Sequence, residues 1–196
     1  MKEVTLQVPD GKRVEWREVN GVTIPVLVDE QVKDDRPVTE RIKTFEDAFN
    51  ALEETHLLRK EWNVFSECIR NNAGIGKDIV AILKLRIIAA ALNEGWEPRF
   101  TTDEYRWFPW FVLYTEKEID EMDEEEKARV VARSCVDANA YCGVACVHAD
   151  GDSSDTGASF GSRLAFKTRE LAEYAGKTFI EIWADWCFAG ALEFTK

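Results

Sequence analysis

An α+β fold is what this sequence predicts, and three features point to it. Residues 3 to 28 alternate apolar and polar side chains around turn dipeptides, as half-buried strands do. Residues 44 to 93 switch to helical spacing between capping and terminating residues. From Trp96 onward, strand-like and helix-like stretches mix without an internal repeat, which is the α+β pattern rather than regular β-α alternation.

The elements follow in order. Val4, Leu6 and Val8 precede a Pro9-Asp10-Gly11 turn, and Val14 and Trp16 precede Asn20-Gly21. The apolar run Val22 to Val28 then completes a small β-meander, because Asp-Gly and Asn-Gly between such runs favour tight hairpins. Asp34 to Pro37 is a charged linker. Thr44 caps a helix with Asp47 three residues on, and Phe45, Ala48, Phe49 and Leu52 share its inner face. A second helix covers roughly Leu57 to Ile69. A third runs from Asp78 to Asn93 and ends at Gly95; it is apolar almost all round, the mark of a central helix.

Trp107 to Tyr114 is an aromatic run suited to a buried strand. Thr115 and Glu118 form a capping box that opens an acidic helix. Val130 to Cys135, Tyr141 to His148 and Arg163 to Phe166 read as strands, with a Gly/Ser/Asp-rich loop between the last two. Thr168 caps a final amphipathic helix carrying Leu171, Tyr174, Ala175, Phe179, Ile182 and Trp183. The chain divides on this reading into residues 1–93, hairpin and helices, and residues 94–196, although one compact unit fits as well.

Composition narrows the function classes. Hydrophobic residues make up 45% of the 196, enough for a real core. A net charge of −12 argues against a nucleic-acid partner, since phosphate backbones demand clustered Lys and Arg. The longest apolar stretch, Ile79 to Leu92, is broken by Lys84 and Arg86, so no membrane insertion is expected. The N-terminus lacks an apolar signal core, and five cysteines without a signal suggest reduced thiols. Synthesis in a cytoplasm follows, a phage particle assembled there included.

Familiar chemical motifs are incomplete. Gly74-Ile75-Gly76-Lys77-Asp78 lacks the glycine spacing and the Ser or Thr after Lys of a phosphate loop. Cys135, Cys142, Cys146 and His148 lie close together, but only Cys142 and Cys146 approach a zinc spacing and no second pair follows. Asp150, Asp152 and Asp155 have calcium-loop spacing without the glycine at loop position six or the acidic residue at twelve, where Gly161 stands. His56 and His148 belong to no nucleophile motif. No catalytic residue, metal or cofactor is therefore expected.

One window stands out. Ser134 to Ser162 contains no Lys, Glu, Gln, Met or Trp across 29 residues, whereas the other 167 positions hold all 46 residues of those types. At that rate about eight would fall in the window, a deficit that turn-rich composition softens but does not remove. Randomising the adenines of asparagine codons (AAC or AAT) can produce every residue type seen here, and cannot produce the five missing ones. Alternation adds to this signal. Ser134, Val136, Ala138 and Ala140 interleave with Cys135, Asp137, Asn139 and Tyr141, and Ala145, Val147 and Ala149 interleave with Cys146, His148 and Asp150. In a strand these sets face opposite sides, one plain and one chemically mixed.

The window, followed by Gly161-Ser162-Arg163-Leu164-Ala165-Phe166, resembles the variable region of proteins diversified by retroelements in phages and gut bacteria. Those proteins usually carry the region on a C-type-lectin-type fold whose closing strand reads Ile-Gly-Phe-Arg-Leu or similar, a place taken here by Phe160-Gly161-Ser162-Arg163-Leu164. Arg163 to Gly176 also resembles the end of uncharacterised proteins of gut phages and their hosts. The likeness covers roughly Trp96 to Trp186. The chain lacks the family's common Gly-Gly-Ser-Trp strand and adds a helix after the variable stretch.

The resemblance implies a C-type-lectin-like variable region over residues 94–196 and a non-enzymatic protein that binds a protein or glycan ligand, often as a homo-oligomer. Its hypervariable contacts would be Cys135, Asp137, Asn139, Tyr141, Cys142, Cys146, His148, Asp150, Asp152, Ser153, Ser154, Asp155, Thr156, Ser159 and Phe160. Tyr, Ser, Asn, Asp and His on a rigid frame suit adaptable recognition. Two other readings stay open: a structural virion or assembly protein, and a small enzyme with an unrecognised carboxylate site.

Overall fold

A computed structural model describes residues 7–19, 21–29, 34–71, 74–99, 101–132, 141–153 and 161–188. The chain forms two compact units, Met1–Arg36 and Pro37–Lys196. In the first, strand β1 (Lys12–Val19) pairs antiparallel with β2 (Val22–Asp29), in register from Lys12 opposite Asp29 to Val19 opposite Val22. Gly21 at φ 77° supplies the left-handed backbone that so short a connection needs. The described sheet is thus a hairpin; Val4 and Leu6 of the expected meander lie outside the described residues, and Val8 stands in no strand.

The larger unit is α+β, with one three-stranded antiparallel sheet. Its helices begin with α1 (Val38–Arg41), α2 (Phe45–Ala51), α3 (Leu57–Asn71) and α4 (Lys77–Asn93). Strand β3 (Arg106–Thr115), α5 (Glu116–Glu121), α6 (Glu124–Lys127), β4 (Val131–Ala132) and β5 (Tyr141–Asp152) follow. A 3-10 turn (Ser162–Leu164), α7 (Arg169–Thr178) and α8 (Ile180–Cys187) complete the order.

Caps sit where side-chain chemistry placed them. Thr44 with Asp47 and Thr115 with Glu118 make reciprocal capping boxes, and Thr168 accepts from the Leu171 amide. Backbone amides, of Lys43 and then Thr44 at Asp47 and of Thr115 at Glu118, hold both carboxyls below their usual range. Carboxylates shifted down stabilise above their unfolded titration range, so these caps weaken as pH falls through the lowered values.

Helix α4 is the centre of the core: Leu85, Ile87, Ile88 and Leu92 are fully buried, with Trp183, Leu164 and Phe166 among their cluster. The two charged side chains in its middle, Lys84 and Arg86, escape full burial along their stems. Lys84 places its ammonium 5.2 Å from the Phe45 ring centre and 5.9 Å from that of Trp62, and Arg86 pairs with Glu61 at 3.1 Å. Glu94 ends the helix at φ 49°, ahead of Gly95 at 84°, and its carboxylate ion-pairs with Arg41 and Lys167.

Four sequence expectations change. The break in compactness falls after Arg36, not at 93/94, because α2 and α4 share one core with α7 and α8. Arg163 to Phe166 is no strand: a 3-10 turn follows Gly161 at φ 57°, and only Phe166 bridges to Trp107, by backbone bonds of 2.9 and 3.0 Å. The final helix is two helices, with Phe179 leaving helical geometry at ψ 28°. Of the expected strand Val130 to Cys135, only Val131–Ala132 pairs within the described residues.

Asn93 is a buried cross-link. Its Nδ2 donates to the Ala165 carbonyl at 2.8 Å, and its Oδ1 accepts from the Lys167 amide at 3.0 Å. Gly176 lets α7 lie close on the sheet; a Cβ there would collide with Cys146 Sγ and stand 2.7 Å from Pro109 Cβ. Gly176→Ala should therefore lower folding stability by about 1–3 kcal/mol through overpacking, read as a lower midpoint in denaturant unfolding. An unchanged midpoint would mean that α7 is not seated on the strands in this way.

Candidate functional site

The candidate surface is one side of the β3–β5 pair. Strand β5 pairs antiparallel with β3, from Tyr141 opposite Thr115 to Asp152 opposite Arg106. The register slips twice. Trp110 faces His148 while Phe111 faces Cys146, leaving Val147 as an extra residue; a second slip near Thr115 leaves Cys142 extra. Bulges of this kind change which side the following residues face.

The Val147 bulge corrects the expected alternation. His148, Asp150 and Asp152 face outward, as expected, and Tyr141 is 56% exposed. Cys146 does not join them: it is buried beneath α7, while Val147 stands exposed beside His148. Cys142 is buried as well and is disulfide-bonded, against the expectation of reduced thiols; Cys68, Cys146 and Cys187 are free. Ser153 is half-buried. Cys135, Asp137, Asn139, Ser154, Asp155, Thr156, Ser159 and Phe160 lie outside the described residues.

Pairing brings in a residue that sequence reasoning placed in a buried run. Trp110 is 46% exposed and stacks on His148, with ring centres 6.1 Å apart and planes 22° from parallel. Phe108, which is buried, and Arg106 precede Trp110 at alternate positions of β3, opposite Asp150 and Asp152. Arg106 is fully buried and donates from Nη1 to the Arg99 carbonyl at 2.8 Å. Asp150 Oδ1 accepts from the Gly151 amide at 2.8 Å. One side of the pair thus offers a flat aromatic surface, an imidazole and two carboxylates, while the exposed phenol of Tyr141 stands at the other end of β5, opposite Thr115. Such a set can stack against a ring and exchange hydrogen bonds with polar groups.

Among the described residues, no group of three or more His, Cys, Asp or Glu is placed to hold a metal ion. No helix there is long and apolar enough to cross a membrane. Burial pushes the Cys146 thiol up to about 11, which keeps it in the unreactive protonated form near neutral pH. Peptide mapping after iodoacetamide treatment of the folded protein at pH 8 should find Cys68 modified and Cys146 unmodified. Denaturation should expose Cys146 to the reagent. Rapid native labelling of Cys146 would contradict its burial. Comparison with protein-family models, curated proteins and solved structures finds no match to this chain.

Proposed function

We propose that the chain is a non-enzymatic ligand-binding protein that recognises a protein or glycan through the outward side of β3–β5. The observation that carries this reading is the exposed Trp110–His148 stack, with Asp150 and Asp152 exposed at the next alternate positions of β5. A folded core has no use for an exposed indole stacked on an exposed imidazole, whereas a recognition surface does. Cys142 and Cys146 drop out of the contact row because they face inward.

On the same reading, residues 94–196 are a C-type-lectin-like variable region of a phage-derived protein, diversified by a retroelement. The missing residue types in Ser134 to Ser162 support this, as does an antiparallel sheet that presents alternate side chains from a firm backbone. A structural virion or assembly protein is the second reading. It has one observation in its favour: the hairpin leaves Trp16 65% and Val22 60% exposed.

Two measurements test the proposal. The source DNA should hold a near-copy of the segment coding for residues 134–162, with adenines at the variable positions, beside a reverse transcriptase gene; its absence removes diversification. Binding to a glycan array and a displayed peptide library should fall at least about tenfold in the Tyr141→Ala/His148→Ala/Asp150→Ala variant, with thermal unfolding nearly unchanged, as truncation of exposed side chains allows. Unaltered binding, or a stability loss of the size of core truncation, sinks the proposed surface.

A further inference from the structure

A cavity of about 580 Å³ lies beside β5, between the chain leading from α5 to β4 and the start of α8. Its origin can be traced to two close approaches and one strand end. At Gly143 a Cβ would stand 2.6 Å from Ile119 and 2.7 Å from Val130, so the α5–β4 segment presses directly on the strand there. At Gly176, helix α7 does the same from the other side, against Cys146 and Pro109. Among the described residues β4 pairs with Val144 and Gly143, and beyond Val144 no described strand covers that edge of β5. The cavity opens at this uncovered edge, with Val147 of the bulge in its lining.

Tyr114, Ala145, Val147, Met122, Val131 and Ile180 give it an apolar lining. Pockets of about 300–1,000 Å³ with mostly apolar walls and a few polar groups suit small organic molecules. The charged lining inverts the balance of the chain. Against 37 acidic and 25 basic residues overall, the cavity presents Arg129 and Lys177 with a single carboxylate, Glu126. That carboxylate is already engaged, accepting from the Asp123 amide at 3.2 Å. Arg129 pairs with Glu125 in solvent, and Lys177 pairs at 3.4 Å with the partly covered Glu173, which it shares with Arg169, each pair within one turn. Exposed pairs of this type are weak, so either cation can exchange its partner for an anion held in a drier place.

We propose that this cavity binds a small molecule with an apolar body and one anionic group. None of Trp110, Tyr141, His148, Asp150 or Asp152 lines it, so the site is separate from the proposed recognition surface and does not depend on it.

The full chain, titrated with anilinonaphthalene sulfonate, should show saturable fluorescence enhancement at one site, and decanoate should displace the dye. Decanol, equally apolar and uncharged, should compete on the order of tenfold less well, one decade being a modest share of a charge-assisted contact. Lys177→Gln should weaken decanoate by a similar factor while leaving decanol unchanged. Val147→Trp places an indole into the cavity from an exposed position and should abolish dye binding, with cooperative thermal unfolding retained. The proposal fails if the dye does not saturate, or if Val147→Trp binds it as the parent does. Equal competition by decanol and decanoate overturns the anionic assignment. Should Val147→Trp unfold, Ala128→Trp intrudes into the cavity from another lining position and reads the same outcome.

Discussion

Truncating Trp183 to alanine should cost about 3–5 kcal/mol of folding stability, the range for removing a large aromatic from a packed core. Trp183 is 1% exposed and joins the core cluster from α8, with its ring 5.6 Å from that of Phe111 on β3. Losing it would remove the ring contact that ties α8 to β3. Domains of this size hold about 5–15 kcal/mol in total, so the alanine variant should unfold at much lower urea. The indole has a weakness that gives a second reading. Its Nε1 is buried without a hydrogen-bond partner among the described residues. Trp183→Phe removes that orphaned donor while keeping most of the apolar contact, so it should cost clearly less than alanine. An alanine variant within about 1 kcal/mol of the parent would show that α8 does not pack here as described.

Asn93→Leu should be the second large loss, about 2–4 kcal/mol, despite the similar size of the two side chains. The asparagine satisfies the Ala165 carbonyl and the Lys167 amide, and leucine would leave both without that partner in a buried setting. Each orphaned group costs about 1–3 kcal/mol. The damage should be local first, since Lys167 immediately precedes the Thr168 cap of α7. Hydrogen exchange at the Lys167 amide should accelerate in the variant before global unfolding. Unchanged protection there, with unchanged stability, would remove the cross-link.

The difference between what side-chain pattern revealed and what packing added has physical causes. Thr44, Thr115 and Thr168 were readable because capping is decided within four residues. Helix α4 was readable because a helix apolar on every side has nowhere to go but the centre. The Val147 bulge was not, because Ala145, Cys146 and Val147 are all apolar and fit either side of a strand; only pairing with β3 decides. Trp110 was hidden the same way, inside a run of apolar residues from Trp107 to Leu113 that carries no inward or outward phase. The break at Phe179 leaves no trace in spacing, since Phe179 is itself buried and keeps the apolar rhythm across it. Asn93 read as the polar end of a helix, while its true partners lie more than seventy residues away.

The bulge at Val147 has one more consequence, for how this protein can change over generations. On its C-terminal side, codons 148, 150 and 152 specify side chains that point away from the core, so heritable variation there is largely free of a folding cost. On its N-terminal side, codons 142, 144 and 146 specify buried side chains, and most replacements would be removed by misfolding before any new specificity could be selected. A single inserted residue thus marks, between the exposed Tyr141 at one end of the strand and Asp152 at the other, where a stretch closed to innovation gives way to one open to it.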